Sequence, residues 1–197
     1  MTLQQCRAAF AQPDKQLAGR VYDATPQTLC GCEQFSMAES SPGVVADQEG
    51  LCLIISDPTD IQDGRLSPTS LIRVDTSGVS VLRDAAHDDE FDLTITELKA
   101  RSAAANKPRS FLGVCLFSAH TLRHQNGSRF LGVYDTALPG KPHHADVLAP
   151  PLNRLAPMSN SQLDKEQRKR IKQIIDLVGR CFDPAHSFRN GVLAKHA

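Results

Sequence analysis

A chain of 197 residues, 41% hydrophobic and 22% charged, has the size and composition of one globular domain with an aliphatic core, which excludes intrinsic disorder and a disulfide-dependent miniprotein. Lysine plus arginine and aspartate plus glutamate each total 22, so no net field draws the chain to nucleic acid, an anionic membrane or an acidic substrate. No apolar run approaches the ~20 residues that span a bilayer, and Met1 to Phe10 lack the basic-then-apolar layout of a secretion signal, so a cytoplasmic location is expected.

Residues 1–48 read as an irregular segment, Gln-rich and interrupted by Pro13 and Pro26, with a short helix over Leu3 to Phe10. Leu51-Cys52-Leu53-Ile54-Ile55 is an unbroken apolar run stopped by Ser56-Asp57-Pro58, the pattern of a strand buried on both faces. Ile61 to Ser70 has loop chemistry. Leu71-Ile72-Arg73-Val74 and Val79-Ser80-Val81-Leu82, separated by Asp75-Thr76-Ser77-Gly78, predict a hairpin. Asp88-Asp89-Glu90 precede an amphipathic stretch with Phe91, Ile95 and Leu98 at helical spacing, where negative charge suits the positive end of the helix dipole.

Phe111 to Phe117 predicts another buried strand and Ser118 to Arg123 a short helix. Gln125-Asn126-Gly127-Ser128 predicts a turn, and Phe130 to Tyr134 a strand. Pro139, Pro142, Pro150, Pro151 and Pro157 predict a long stretch without regular structure. Leu163, Ile171, Ile174, Ile175 and Val178 form one apolar stripe of a C-terminal helix whose Lys165, Arg168, Lys169, Arg170 and Lys172 read as a solvated face. The expectation is a single α+β domain over residues 1–197, with a mixed or antiparallel sheet, a C-terminal amphipathic helix and a loose tail over residues 183–197.

The chemistry-bearing segment is Pro142-His143-His144-Ala145-Asp146, which combines two imidazoles with a carboxylate between prolines. Neighbouring residues of an extended segment point to opposite sides, so one imidazole faces any given cleft, as acid, base or ligand; the alternative is a loop histidine bonded to the backbone. Arg65, which follows Gly64 and stands two residues before Ser67, and Arg83 offer guanidinium forks for phosphate, against the alternative of ordinary salt bridges. The six cysteines are expected as free thiols, with Cys52 and Cys115 acting as small hydrophobes. Cys30-Gly31-Cys32 lacks the C-x2-4-C spacing of a zinc knuckle, so no metal is expected. No nucleophile elbow, Walker loop or dinucleotide glycine motif occurs, which counts against ATP and ordinary NAD-redox enzymes and leaves the cofactor open.

The order Asp63-Gly64-Arg65-Leu66-Ser67-Pro68, Gly78-Val79-Ser80-Val81-Leu82-Arg83, Gly113-Val114 and Asp135-Thr136-Ala137-Leu138-Pro139 with Lys141-Pro142-His143-His144-Ala145-Asp146-Val147 resembles a loose group of bacterial proteins with GR-S, G-S-V and closing NPAHA-like blocks. His144 matches the closing histidine of that group. The succession of Arg65 and Ser80 is also faintly similar to the ADP-ribosyltransferase-like fold. That resemblance implies Arg and Ser or His holding NAD and a later Glu acting on the ribose; here Glu97 lies in a predicted helix and the next Glu is Glu166.

Two functions follow as expectations. The first is an accessory or interaction protein, of the kind encoded beside a toxin or defence gene, working through a protein partner. The second is an enzyme with a nucleotide-like anionic ligand, in which Arg65, Ser80 and His144 carry the chemistry and Ser67, Arg83, His143 and Asp146 bind the ligand. A nucleic-acid role would rest only on the basic helix around Arg168 to Lys172 and is not expected.

Overall fold

The computed structural model describes residues 2–12, 14–24, 30–63, 65–155, 157–179 and 182–183. Leu3–Phe10 (α1) starts at Thr2, whose hydroxyl accepts from the Gln5 N–H while the Gln5 side chain accepts from the Thr2 N–H. Leu17–Ala24 (α2) and Cys30–Glu33 (α3) follow, so the N-terminal segment is more helical than its prolines suggested. Leu17, Ala18 and Val21 bury one face of α2. Cys6 and Cys32 are joined in a disulfide with Cα atoms 5.5 Å apart, which ties α1 to α3 and corrects the expectation of free thiols for this pair. The Cys30 side chain and Cys181 lie outside the described residues.

The remaining elements are Gly50–Asp57 (β1), Ile61–Gln62 (β2), Arg65–Leu66 (β3), Pro68–Leu71 (α4), a 3-10 turn at Ile72–Asp75, Val79–Arg83 (β4), Asp88–Ala104 (α5), Ser110–Ser118 (β5), Ala119–Arg123 (α6), His124–Gln125 (β6), Ser128–Arg129 (β7), Gly132–Asp135 (β8), His144–Leu148 (β9), Leu152–Leu155 (α7), Asn160–Val178 (α8) and Phe182–Asp183 (β10). Six strands make one antiparallel sheet in the order β10-β5-β1-β4-β9-β8. The fold is α+β. On one face Leu51, Leu53, Val79, Val81 and Val147 pack with Ile174 and Val178 of α8. The other face carries Cys52, Leu82 and Val114 against Phe91 of α5, and beside them Tyr134 and Leu148 against Ala9 and Leu17 of α1 and α2. Alternate residues of the central strands face different layers, so β1 reads as a continuous apolar run.

Four local predictions change. The segment at Leu71 to Val74 is not extended: the Arg73 carbonyl accepts from both Thr76 N–H and Gly78 N–H, closing a tight turn instead of a hairpin. Gly78 leaves that turn at φ +85, where a Cβ would lie 3.0 Å from Leu148 Cδ2. The proline-rich stretch contains β9, because Pro142 and Pro150 fall outside His144–Leu148 and spare the strand's donors. Arg170 on the supposedly solvated face of α8 is buried, with Nη1 donating to Asp75 Oδ1 at 2.5 Å and to the Pro150 carbonyl. At the chain's end, Phe182–Asp183 adds a strand to β5, and the rest of the expected tail lies outside the described residues.

Candidate anion-binding cleft

The site begins with a parting of two central strands. β4 pairs with β9 at four positions, Val79↔Val147, Ser80↔Asp146, Val81↔Ala145 and Leu82↔His144. With β1 it pairs only at Leu51↔Arg83 and Cys52↔Leu82. Beyond Cys52 a cleft of about 300 Å³ opens, with Leu53, Ile54 and Ile55 on one side and Leu71, Arg73 and Ser80 on the other. Thr94, Leu98, Arg101, Ser102 and Ala105, recurring on one face of α5 and its C-cap, form a further wall, and Lys107 and Arg109 close the rim before β5. The Ser102 hydroxyl fixes that rim by accepting from the Arg109 N–H at 3.1 Å.

Arg73, Arg101, Lys107 and Arg109 thus face one small space, and among the described residues none of the four has a carboxylate within 4.0 Å. The cleft's own carboxylate, Asp60, is buried and already accepts from the Ser56 N–H at 2.9 Å and the Ser56 hydroxyl at 2.5 Å. Burial among the cleft walls holds the Arg73 guanidinium below the usual arginine range; Asp60 pulls the other way, Arg109 and Arg101 lower it again, and Asp146 partly offsets them. The residue as a whole is still open to solvent, as befits a side chain on the wall of an open cleft.

Behind Ser80 lies a chain of hydrogen bonds. The Ser80 hydroxyl donates to Asp146 Oδ1 at 3.1 Å, the Thr136 hydroxyl donates to Asp146 Oδ2 at 2.9 Å, and His144 Nδ1 lies 3.0 Å from the Thr136 hydroxyl and 3.1 Å from its carbonyl. Register explains the grouping: Ser80, Asp146 and His144 fall on the same sheet face, with Asp146 two residues from His144 and directly opposite Ser80. Lys141, buried, donates to Glu97 Oε2 at 2.6 Å. That bond, opposed by burial and aided by the charges of Lys141, Arg101 and His144, holds the Glu97 carboxyl below its ordinary value.

Ser80 thus bonds Asp146 directly while His144 is linked to that carboxylate only through Thr136, and Arg65 does not join them: it is exposed on the two-residue strand β3, outside the cleft lining. Ser67 is buried beside Asp60, its N–H donating to the Asp60 carbonyl. Arg83 is structural, with Nε on Glu49 Oε1, Nη2 on Glu49 Oε2 at 2.9 Å and Nη1 on the Gly43 carbonyl at 2.6 Å. His143 faces away to Glu90, with its Nδ1 at 2.6 Å from Oε1 and its N–H at 2.9 Å from Oε2. The sequence reading missed the cationic lining. Its one signal was Arg101, Lys107 and Arg109 close together between an amphipathic helix and a buried strand, while Arg73 sat in a segment read as extended. Comparisons with protein-family models, curated proteins and solved structures find no match to this chain.

Proposed function

We propose that this protein binds a small phosphate-bearing molecule of the nucleotide-like class in the cleft between β1 and β4. The observation behind this reading is the convergence of Arg73, Arg101, Lys107 and Arg109, without ion-pair partners among the described residues, around a space whose own carboxylate is already hydrogen-bonded. Guanidinium forks match phosphate oxygens in pairs, and charge-assisted bonds of this type are about twice as strong as neutral ones. Mutual repulsion among the cations raises the benefit of a bound anion. Ile54, Leu71 and Leu98 give the apolar area that a sugar or base edge needs, and the cleft volume falls at the lower end of the range for small-molecule sites.

In this reading Ser80 touches the ligand and Asp146, Thr136 and His144 hold its hydroxyl in place. Arg73 takes the part first assigned to Arg65. An ADP-ribosyltransferase-like step would ask Glu97 to act on a ribose, whereas that carboxylate is held by Lys141. The accessory-protein reading has no comparable support: the exposed large apolar side chains Val44, Ile72, Leu138 and Leu155 come from four separate segments. Among the described residues no helix is long and apolar enough to cross a membrane. A cytoplasmic setting is a proposal of its own, opposed by the Cys6–Cys32 bond, since such bonds persist in oxidising compartments.

Calorimetric titration with inorganic phosphate, AMP and NAD tests the proposal. The nucleotides are expected to bind at one site, with an affinity that falls as salt rises, and Arg101→Glu and Arg109→Glu are each expected to weaken binding by about tenfold or more. Unchanged affinity in both variants, or no binding of any of the three probes, overturns it.

A further inference from the structure

We propose that Asp47, His120 and His124 form a binding site for a first-row divalent metal ion of the zinc type. The site is separate from the anion cleft, whose lining contains none of the three. His120 lies in the first turn of α6 and His124 caps the end of that helix, four residues on, so the two imidazoles project from the same side. Their ring centroids are 4.7 Å apart with planes inclined at 31°. Asp47 comes from the loop before β1, and its Oδ2 lies 3.6 Å from His120 Nδ1 and 3.7 Å from His124 Nε2. One donor atom from each residue lies within 4.8 Å of the other two.

Metal geometry makes these spacings meaningful. With metal–nitrogen and metal–oxygen bonds of about 2.0–2.1 Å, the ligand atoms of a tetrahedral ion stand roughly 3.3 Å apart. The two carboxylate–imidazole separations need only a few tenths of an ångström of closure, and the half-open side chains of His120, His124 and Asp47 have room to make it.

The frame around the donors is already fixed. The His120 N–H donates to the Asp47 carbonyl at 2.8 Å and the Ala119 N–H to the Glu49 carbonyl at 2.9 Å, locking the loop to the helix. Arg123 Nη1 donates to Asp47 Oδ1 at 2.7 Å, which leaves Oδ2 turned toward the imidazoles. Arg123 is itself held by Glu33 Oε1 at 2.8 Å and by the carbonyls of Val45 and Val133. This is the outer-sphere support that orients a ligating carboxylate. The Arg123 charge does not stand unmatched against an incoming cation, because Arg123 and Arg129 are balanced by Glu33 and Asp47.

Two imidazoles and one carboxylate select zinc and its neighbours over magnesium and calcium, which prefer all-oxygen shells. Three protein ligands leave a coordination position for water, as in metal sites that act on substrates and unlike closed structural ones. Among the described residues no thiol joins the cluster, and Cys32 is bonded to Cys6.

Titration of the chelator-treated full chain with ZnCl2, MgCl2 and CoCl2 tests the site. One equivalent of Zn2+ is expected to bind and Mg2+ not to compete. The double variant His120→Ala/His124→Ala is expected to lose affinity by more than the roughly 10–100-fold typical of losing an outer-sphere partner. Cobalt should give d–d bands without thiolate charge-transfer absorption, and these should vanish in the double variant. Both imidazoles are at least one-third exposed, so the variant keeps its fold, which a melting curve checks; Asp47→Asn is a second, independent probe. Absence of zinc binding, wild-type affinity in the double variant, or thiolate bands with cobalt each overturns the proposal, and none of these results bears on phosphate binding in the cleft.

Discussion

Ser80 and Asp146 stand directly opposite each other on β4 and β9, and the Ser80 hydroxyl donates to Asp146 Oδ1 across that pair. The same carboxylate receives Thr136, so Asp146 anchors a hydroxyl that lines the cleft while adding negative charge near Arg73. The two roles make opposite contributions. Asp146→Asn keeps the shape and removes the charge. It is expected to lower stability by about 1 kcal/mol, through weaker bonds to the two hydroxyls, and to raise affinity for inorganic phosphate a few-fold. Urea denaturation and calorimetry on the same variant separate the two effects; a loss of affinity would mean that Asp146 assists the ligand directly.

Arginine burial distinguishes framework from site. Arg83→Met strips partners from buried Asp135 and from the Glu49 carboxylate, and is expected to cost about 3–5 kcal/mol, as for one half of a buried ion pair. Arg101→Met removes a cation that, among the described residues, has no carboxylate within 4.0 Å and is repelled by Arg73 while weakly attracted by Glu97, so its stability is expected within about 0.5 kcal/mol of the parent. Thermal melts in chloride show the first difference. Melts with added phosphate should show the parent rising by mass action and Arg101→Met rising less.

How much of this was visible in the chain itself depends on the range of the interactions. Leu51 to Ile55, Phe111 to Phe117 and the α8 stripe are strong periodic signals, and each became the expected element because burial on one or both faces enforces it. Asn126 and Gly127 take the positive φ values of 51° and 74° that their turn demands. Of the expected trio Arg65, Ser80 and His144, paired strand register brings Ser80 and His144 to one sheet face, together with Asp146. Arg65, equally plausible by motif, sits outside because the fate of the loop after β1 is decided by long-range packing. The parting of β1 from β4 has no sequence signature either: neither Leu51 to Ile55 nor Val79 to Leu82 changes its pattern where the pairing stops, and only the ladder's early end at Cys52↔Leu82 reveals the cleft. The metal donors escaped for the same reason, with Asp47 more than seventy positions before its imidazoles.

The Lys141–Glu97 pair gives a pH signature. The Glu97 carboxyl is depressed below its ordinary 4.5, first by the Lys141 hydrogen bond. A depressed carboxyl contributes stability that is fully present above the unfolded value and is lost as pH falls through the folded one. Glu97→Gln should therefore destabilise the protein at neutral pH by about 1–2 kcal/mol, because the buried Lys141 ammonium loses its counter-charge while the half-exposed carboxylate keeps the effect small. As pH falls below 4.5 the parent and variant denaturation curves should draw together, and they should merge once pH passes the depressed folded-state value. Curves equally far apart at both pH values would assign the difference to packing.

The Cys6–Cys32 bond closes a loop between residues 26 apart, joining α1 to α3 over Tyr134 and Leu148. Chain-entropy arguments for a loop of this size give about 3–4 kcal/mol of stability, lost on reduction. Dithiothreitol, or the pair Cys6→Ser/Cys32→Ser, should lower the melting temperature accordingly and loosen the N-terminal helices first, since the central sheet has its own core in Leu51, Leu53, Val79 and Val81. Thiol labelling gives the complementary readout. Burial, with Cys115 second, pushes the Cys52 thiol up, so it should resist alkylation in the folded state under both conditions. Hydrogen exchange that quickens across α1 and α2 on reduction, while β1 and β5 stay protected, is the expected pattern. Uniform loss of protection would show instead that the bond supports the whole domain, and reduction would then release the cleft between β1 and β4 and the N-terminal layer together.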